Sequence, residues 1–295
     1  MSKSIPVEKL AQDGIVRLGR LCIINLMNNT MITILKKTSV VLIPLLVISA
    51  IVFISTATRI THASTNGHAM YLWTSAQTTY TAEFIENYLI QNNVTTAMVS
   101  LSSASRPVFK QLLARLPDRG IRFEILVGSN SLLFNTNPSV YFDNLLKNID
   151  TTKISAIHLD VEPQTFSDYQ QKKGYYLNLY TNLLEKTKVY ATSKGMQLSV
   201  DIPVYFPQET LEKIYKQADK VYLMAYQIQS MNYLKTRTQE EVAQGIDKTV
   251  FAFRANDFAN RGAFETYTKN AETKLGTISI ALHDLTRFVT LDKQP

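Results

Sequence analysis

The chain has 295 residues, with 31 Lys and Arg against 24 Asp and Glu, a formal net charge of +7 and a single cysteine. That length fits one large or two modest domains, and a lone cysteine excludes a disulfide-stapled scaffold. The positive charge is no nucleic-acid footprint: seven basic and two acidic residues fall in 1–63, leaving 24 and 22 for the rest, a nearly balanced +2.

Residues 1–30 mix helix-like apolar positions with charges, and Cys22 lies here. Met31 followed by Lys36 and Lys37 has the form of an export start. Ser39 to Ala57 then runs 19 residues without a charge, long enough to cross a bilayer as a helix. The lysines before it place the N-terminus in the cytoplasm and the remainder outside. A cleaved signal remains an equal reading, with Thr61-His62-Ala63 as a passable cleavage site. The expected organisation is a cytoplasmic segment 1–38, a transmembrane or signal helix 39–57, a linker 58–68 and a barrel domain 69–295. The barrel domain is then membrane-anchored facing outside the cytoplasm, or secreted.

Beyond residue 68, strand-like and helix-like runs alternate. Strands are expected at 69–73, 94–101, 121–127, 154–161, 197–205, 220–226, 249–254 and 277–283. Helices are expected at 82–91, 107–116, 140–149, 174–194, 209–218, 239–248 and 264–274, with Pro117, Gly120 and Gly195 as stops. Eight strands with seven helices between them predict right-handed parallel crossovers and a (β/α)8 barrel of TIM type. Its last helix, 285–291, is short or missing. A doubly wound open sheet is the competitor, but no Gly-rich turn follows Trp73.

The densest chemistry is in Ile157-His158-Leu159-Asp160-Val161-Glu162-Pro163. In a strand the three ionisable side chains share one face, and burial there is costly unless they bond to one another or to a ligand. In such barrels chemistry sits at the C-terminal ends of the strands. Those ends supply Tyr71 and Trp73, Ser100 and Ser102, the His158-Asp160-Glu162 trio, Asp201 and Tyr205, Met224, Tyr226 and Gln227, Arg254 and Asp257, and His283 and Asp284. Aromatic rings stack on sugar faces and carboxylates bond hydroxyls and move protons, so this rim suits a polysaccharide or oligosaccharide.

Asp160-Val161-Glu162 at the end of strand 4, with Met224-Ala225-Tyr226 at the end of strand 6, resembles the family 18 glycoside hydrolases, the chitinase-like family, in a divergent form. The resemblance implies that Glu162 is the general acid/base. Asp160 would orient a substrate 2-acetamido group that attacks the anomeric carbon in place of an enzyme nucleophile, and Tyr226 would bond that group. Ser155 and His158 stand where the family's two earlier aspartates fall, and Gln227 replaces the aspartate after Met-x-Tyr. A cationic His158 would lower the pKa of Asp160.

The expected function is an exported glycoside hydrolase acting on an N-acetylhexosamine-containing glycan. Glu162 and Asp160 are its catalytic residues, and Tyr226, Asp201, Trp73, His158, Tyr71, Arg254 and His283 its substrate-binding ones. Two alternatives stay open: a catalytically inactive glycan-binding barrel, and a hydrolase using Glu162 and Asp201 as two protein carboxylates. Bland roles compete at single positions: an ion pair of Glu162 with Arg254, a loop-capping Asp160 and a satisfied core His158. No cofactor is expected. A divalent ion on the His158 trio is disfavoured, because same-face ligands on a strand are spaced about 7 Å apart.

Overall fold

The structure is a computed structural model that describes residues 67–276 and 278–294. The segments expected at 1–38 and 39–57, and nearly all of the linker, lie outside the described residues. Among the described residues, no helix is long and apolar enough to cross a membrane.

Eight parallel strands close into a barrel in sequence order. They are β1 (His68–Leu72), β2 (Val94–Ser100), β3 (Arg122–Val127), β4 (Ala156–Leu159), β5 (Gln197–Pro203), β6 (Lys220–Met224), β7 (Thr249–Arg254) and β8 (Ser279–His283). Pairing of β1 with β8 through Ala69–Ala281 and Met70–Leu282 closes the ring, so the open sheet is excluded. The helices are α1 (Thr74–Thr79), α2 (Ala82–Gln91), α3 (Arg106–Arg115), α4 (Pro138–Leu145), α5 (Lys173–Ser193), α6 (Gln208–Gln217), α7 (Met231–Arg237), α8 (Gln239–Gly245), α9 (Arg261–Leu275) and α10 (Leu285–Leu291). The last crossover helix is present as two short turns, capped by the Asp284 side chain on the Arg287 amide. Two short helices, α1 and α7, were not expected: both are brief, and α1 lacks an apolar repeat.

Strand alternation divides the core. Met70 and Leu72 join a large apolar layer between barrel and helices. Tyr71, Met98, Leu126, Tyr222, Val250, Ala252 and Ala281 fill the barrel interior. One inward register is polar: Glu124, His158, Ser199 and Asp201 are all buried. The barrel therefore carries ionisable groups in its own core, beneath the face where chemistry is expected.

β4 is shorter than the expected 154–161. Asp160 still donates its amide to Val127 O at 2.9 Å, but the Glu162 amide is taken by the Asn130 side chain at 2.8 Å. Glu162 then leads into a 3-10 turn at Pro163–Thr165. β5 and β6 stop short of Tyr205 and Tyr226 in the same way, and Gln227 turns the chain at φ 59°. Its amide donates to Asp257 Oδ2 at 2.7 Å, which holds this left-handed corner in a residue that seldom adopts it.

Candidate active site

A cavity of about 640 Å³ opens at the C-terminal ends of β4 to β8. Asp160, Glu162, Tyr226, Arg254 and His283 line it, together with Gln164, Tyr205, Tyr233 and Arg237. Tyr71, Trp73, His158 and Asp201, also expected to bind substrate, are not in its wall. Tyr71 and His158 have no exposed surface and Asp201 has 2%. These three support the site from below rather than touching what enters it.

The support is a hydrogen-bonded chain. Ser199 Oγ donates to Glu124 Oε2 at 2.6 Å, so its oxygen is left to accept from His158 Nδ1, 2.9 Å away. His158 Nε2 lies 2.9 Å from Asp201 Oδ2. With both ring nitrogens donating, the ring is an imidazolium. Burial alone would strip that proton, but Asp201 and Glu124 outweigh it and push the His158 pKa up to about 10. Glu124 answers in kind: burial works against its charge, yet the bond to His158 holds its carboxyl below the usual range. Tyr71 donates its hydroxyl to Asp201 Oδ1, and Tyr180 donates to the Asp201 carbonyl at 3.1 Å. Both Asp201 carboxylate oxygens are thereby engaged, and Asp201 does not line the cavity that Glu162 lines. The same bonds occupy both nitrogens of His158, so it is a satisfied core histidine and no metal ligand.

Above this layer sit the two carboxyls of the motif. Asp160 is raised well above the ordinary carboxylate range, by burial first and then by the charges of Asp201 and Glu162. The His158 charge does pull it down, as expected, but by less than burial pushes it up. The imidazolium charge is already matched by Asp201 and Glu124, so it does not offset burial at Asp160. The expected loop cap is absent too: Asp160 Oδ1 is buried, and nothing among the described residues bonds to it. Glu162 is also raised, by burial and then by Asp201, against a lowering bond from Gln164, whose Nε2 donates to Glu162 Oε2 at 2.8 Å. Two acids at a cavity wall, both raised above the ordinary carboxylate range, are equipped for general acid chemistry. Arg254 does not pair with Glu162. Its Nη2 donates to Asp257 Oδ1 at 2.8 Å.

An aromatic column joins support and wall. Tyr71 packs against His283 with ring centres 4.9 Å apart, His283 against Tyr226 at 5.4 Å, and the Arg254 guanidinium lies 4.9 Å above the Tyr226 ring. Trp73 stands beside the column and donates Nε1 to His283 Nε2 at 3.4 Å. A Cβ on Gly128 would come within 2.9 Å of the Trp73 ring, so glycine at the end of β3 is what lets the indole lie there. Burial lowers the His283 pKa, in keeping with a neutral ring that accepts from Trp73. Gln164, Tyr233 and Arg237 were missed because they follow the strand ends in loop and helix, where no periodicity singles them out.

No family model matches the sequence, and no curated protein matches it. Solved structures match through the fold. The glycoside hydrolase domain of PgaB (BpsB) from Bordetella bronchiseptica superposes with a TM-score of 0.54 at 11% identity, over 76% of this chain and 95% of that one. A chitinase from Chromobacterium violaceum gives 0.53 at 12%, over 77% and 98%. Catalytic domain 2 of the Ostrinia furnacalis group II chitinase, bound to penta-N-acetylchitooctaose, gives 0.49 at 12% and covers 64% of each chain. This chain therefore spans somewhat under two thirds of that insect domain. The described barrel shares its fold with the PgaB hydrolase domain and the Chromobacterium chitinase.

Proposed function

We propose that this protein is a glycoside hydrolase that cleaves an N-acetylhexosamine-containing polysaccharide, with Glu162 as general acid/base and Asp160 assisting. The observation that carries the reading is the pair of carboxyls on one cavity wall, both raised by burial and one of them with a buried oxygen that has no partner among the described residues. Glu162 donates its proton to the glycosidic oxygen as that bond breaks. The substrate's acetamido oxygen attacks the anomeric carbon, and Asp160 Oδ1 accepts the acetamido N–H. The Glu162 carboxylate then takes a proton from the water that opens the intermediate, which restores the acid. The aromatic column of His283 and Tyr226 forms the floor under the sugar ring.

The fold shared with chitinases supports this reading, and so does the motif at Asp160, Glu162 and Tyr226. The charge-free stretch 39–57 supports action outside the cytoplasm, anchored or secreted. The test is to incubate the protein with chitooligosaccharides and with cell-wall and biofilm polysaccharides and to measure new reducing ends. Glu162→Gln should abolish them with the fold intact. Hydrolysis at an undiminished rate after this substitution refutes the assignment, and binding without turnover in the unsubstituted protein identifies a glycan-binding barrel instead.

A further inference from the structure

Two arginines line the cavity, and neither is used by the chemistry just described. Arg254 has one carboxylate partner, Asp257, while its Nε is buried with no partner among the described residues. Arg237, at the end of α7, is half-buried and makes no ion pair among the described residues. Its guanidinium lies 5.8 Å over the ring of Tyr205. Tyr205 is held between opposite charges, since Glu162 pushes its pKa up and Arg237 pulls it down, with burial the larger upward cause. Arg237 is thus one tyrosine ring away from the acid.

A guanidinium stacked face-on against an aromatic ring keeps its in-plane N–H groups free, and that planar fork matches the two oxygens of a carboxylate. Burial raises both Asp160 and Glu162, which lessens their repulsion of such a group. We infer that the cavity takes an anionic glycan, and that Arg237, with Arg254 behind it, binds a carboxylate on the sugar next to the one cleaved. The inference rests on the proposed glycan-binding site and names its substrate class.

Binding by the full chain carrying Glu162→Gln tests it without turnover. Calorimetry compares hyaluronan oligosaccharides with their carboxyl-reduced counterparts, and peptide-free peptidoglycan strands with strands whose lactyl carboxylate is reduced. The two arms separate a uronic acid from a lactyl ether as the source of the charge. The acidic form of at least one pair should bind about tenfold tighter or more. Adding Arg237→Gln should erase that preference, and Arg237→Lys should restore only part of it, with unchanged melting temperatures showing that both fold. Equal affinity for acidic and reduced forms overturns the inference, as does a preference that survives Arg237→Gln or a failure to bind any of the four. Hydrolysis by the unsubstituted protein is scored separately. Cleavage of neutral chitooligosaccharides without acidic preference rejects the inference and keeps the hydrolase; acidic preference without any cleavage does the reverse.

Discussion

Replacing His158 with glutamine should be among the most destabilising single changes in the barrel. The imidazolium is wholly buried, and it is the cation that Asp201 meets at 2.9 Å and Glu124 at 3.6 Å. Glutamine leaves both carboxylates in the core, at 2% and 1% exposure, without that charge. Removing one partner of a buried pair costs about 3–5 kcal/mol. The pKa gives a matching figure: a rise from 6.5 to about 10 corresponds to about 5 kcal/mol. In a domain of this size that lowers the melting temperature by roughly 6–20 °C. The folded pKa lies above the unfolded one, so this stability is fully present below pH 6.5 and is lost as pH rises through about 10. Calorimetric melting of both proteins at pH steps from 6 to 10 reads the effect. The unsubstituted protein should lose stability across that window and converge toward the variant, which should stay flatter. A penalty under about 1 kcal/mol at pH 6, or an unchanged gap between the two curves at pH 10, would falsify the buried imidazolium.

Glu162→Gln should lower the rate of glycan cleavage by roughly 10²–10⁴-fold. Because burial raises Glu162, the falling limb of the kcat–pH profile should lie above 4.5; a midpoint at or below that value rules Glu162 out as the acid. Asp160→Asn should stabilise the fold at pH 8, by roughly 2–4 °C for each kcal/mol relieved, since the raised folded pKa means that ionising Asp160 costs stability as pH rises; a lower melting temperature in the variant contradicts the burial argument. Asp257→Ala should cost about 1–3 kcal/mol, because the Gln227 amide and the Arg254 guanidinium both lose their acceptor, and urea melts showing no loss would mean that water replaces it without cost.

The barrel was legible because alternation of strand and helix is a long-range pattern that single residues do not spoil. β7 matched its expected limits at Thr249–Arg254, and Leu285–Leu291 formed the short closing helix. Strand ends were less legible. The sequence shows apolar alternation through Val161, but the ladder stops at Leu159 because Asn130, 32 residues away, takes the Glu162 amide. The same limit applies to the site. Asp160, Glu162, Tyr226, Arg254 and His283 reach the cavity because strand register places them there. Which inward residues touch a ligand and which lie below the floor depends on depth along the barrel axis, and a period of two carries no depth. His158 and Asp201 are one layer too deep, and Tyr71 lies in the same layer. Glu124 and Ser199 complete their network from strands whose sequence advertises nothing but buried apolar runs.

The departure of His158 from the chitinase-like motif has a physical consequence that a residue count would miss. A carboxylate at that position would add negative charge beneath Asp160, and a neutral side chain would leave Asp201 unpaired. An imidazolium instead absorbs the charge of Asp201 and Glu124 within the core, through bonds of 2.9 Å or less to Asp201 and through Ser199 to Glu124. Its lowering pull on Asp160 is smaller than the effect of burial, which raises both acids at the wall. His158 thus keeps the core layer electrically closed, while burial raises the two acids above it. In that arrangement the fold's stability depends on His158, whereas the proposed chemistry depends on Glu162. Loss of activity on alkalinisation, as the proposed acid Glu162 gives up its proton, should therefore precede the loss of stability that follows His158 through about pH 10, which distinguishes titration of the wall from unfolding of the barrel.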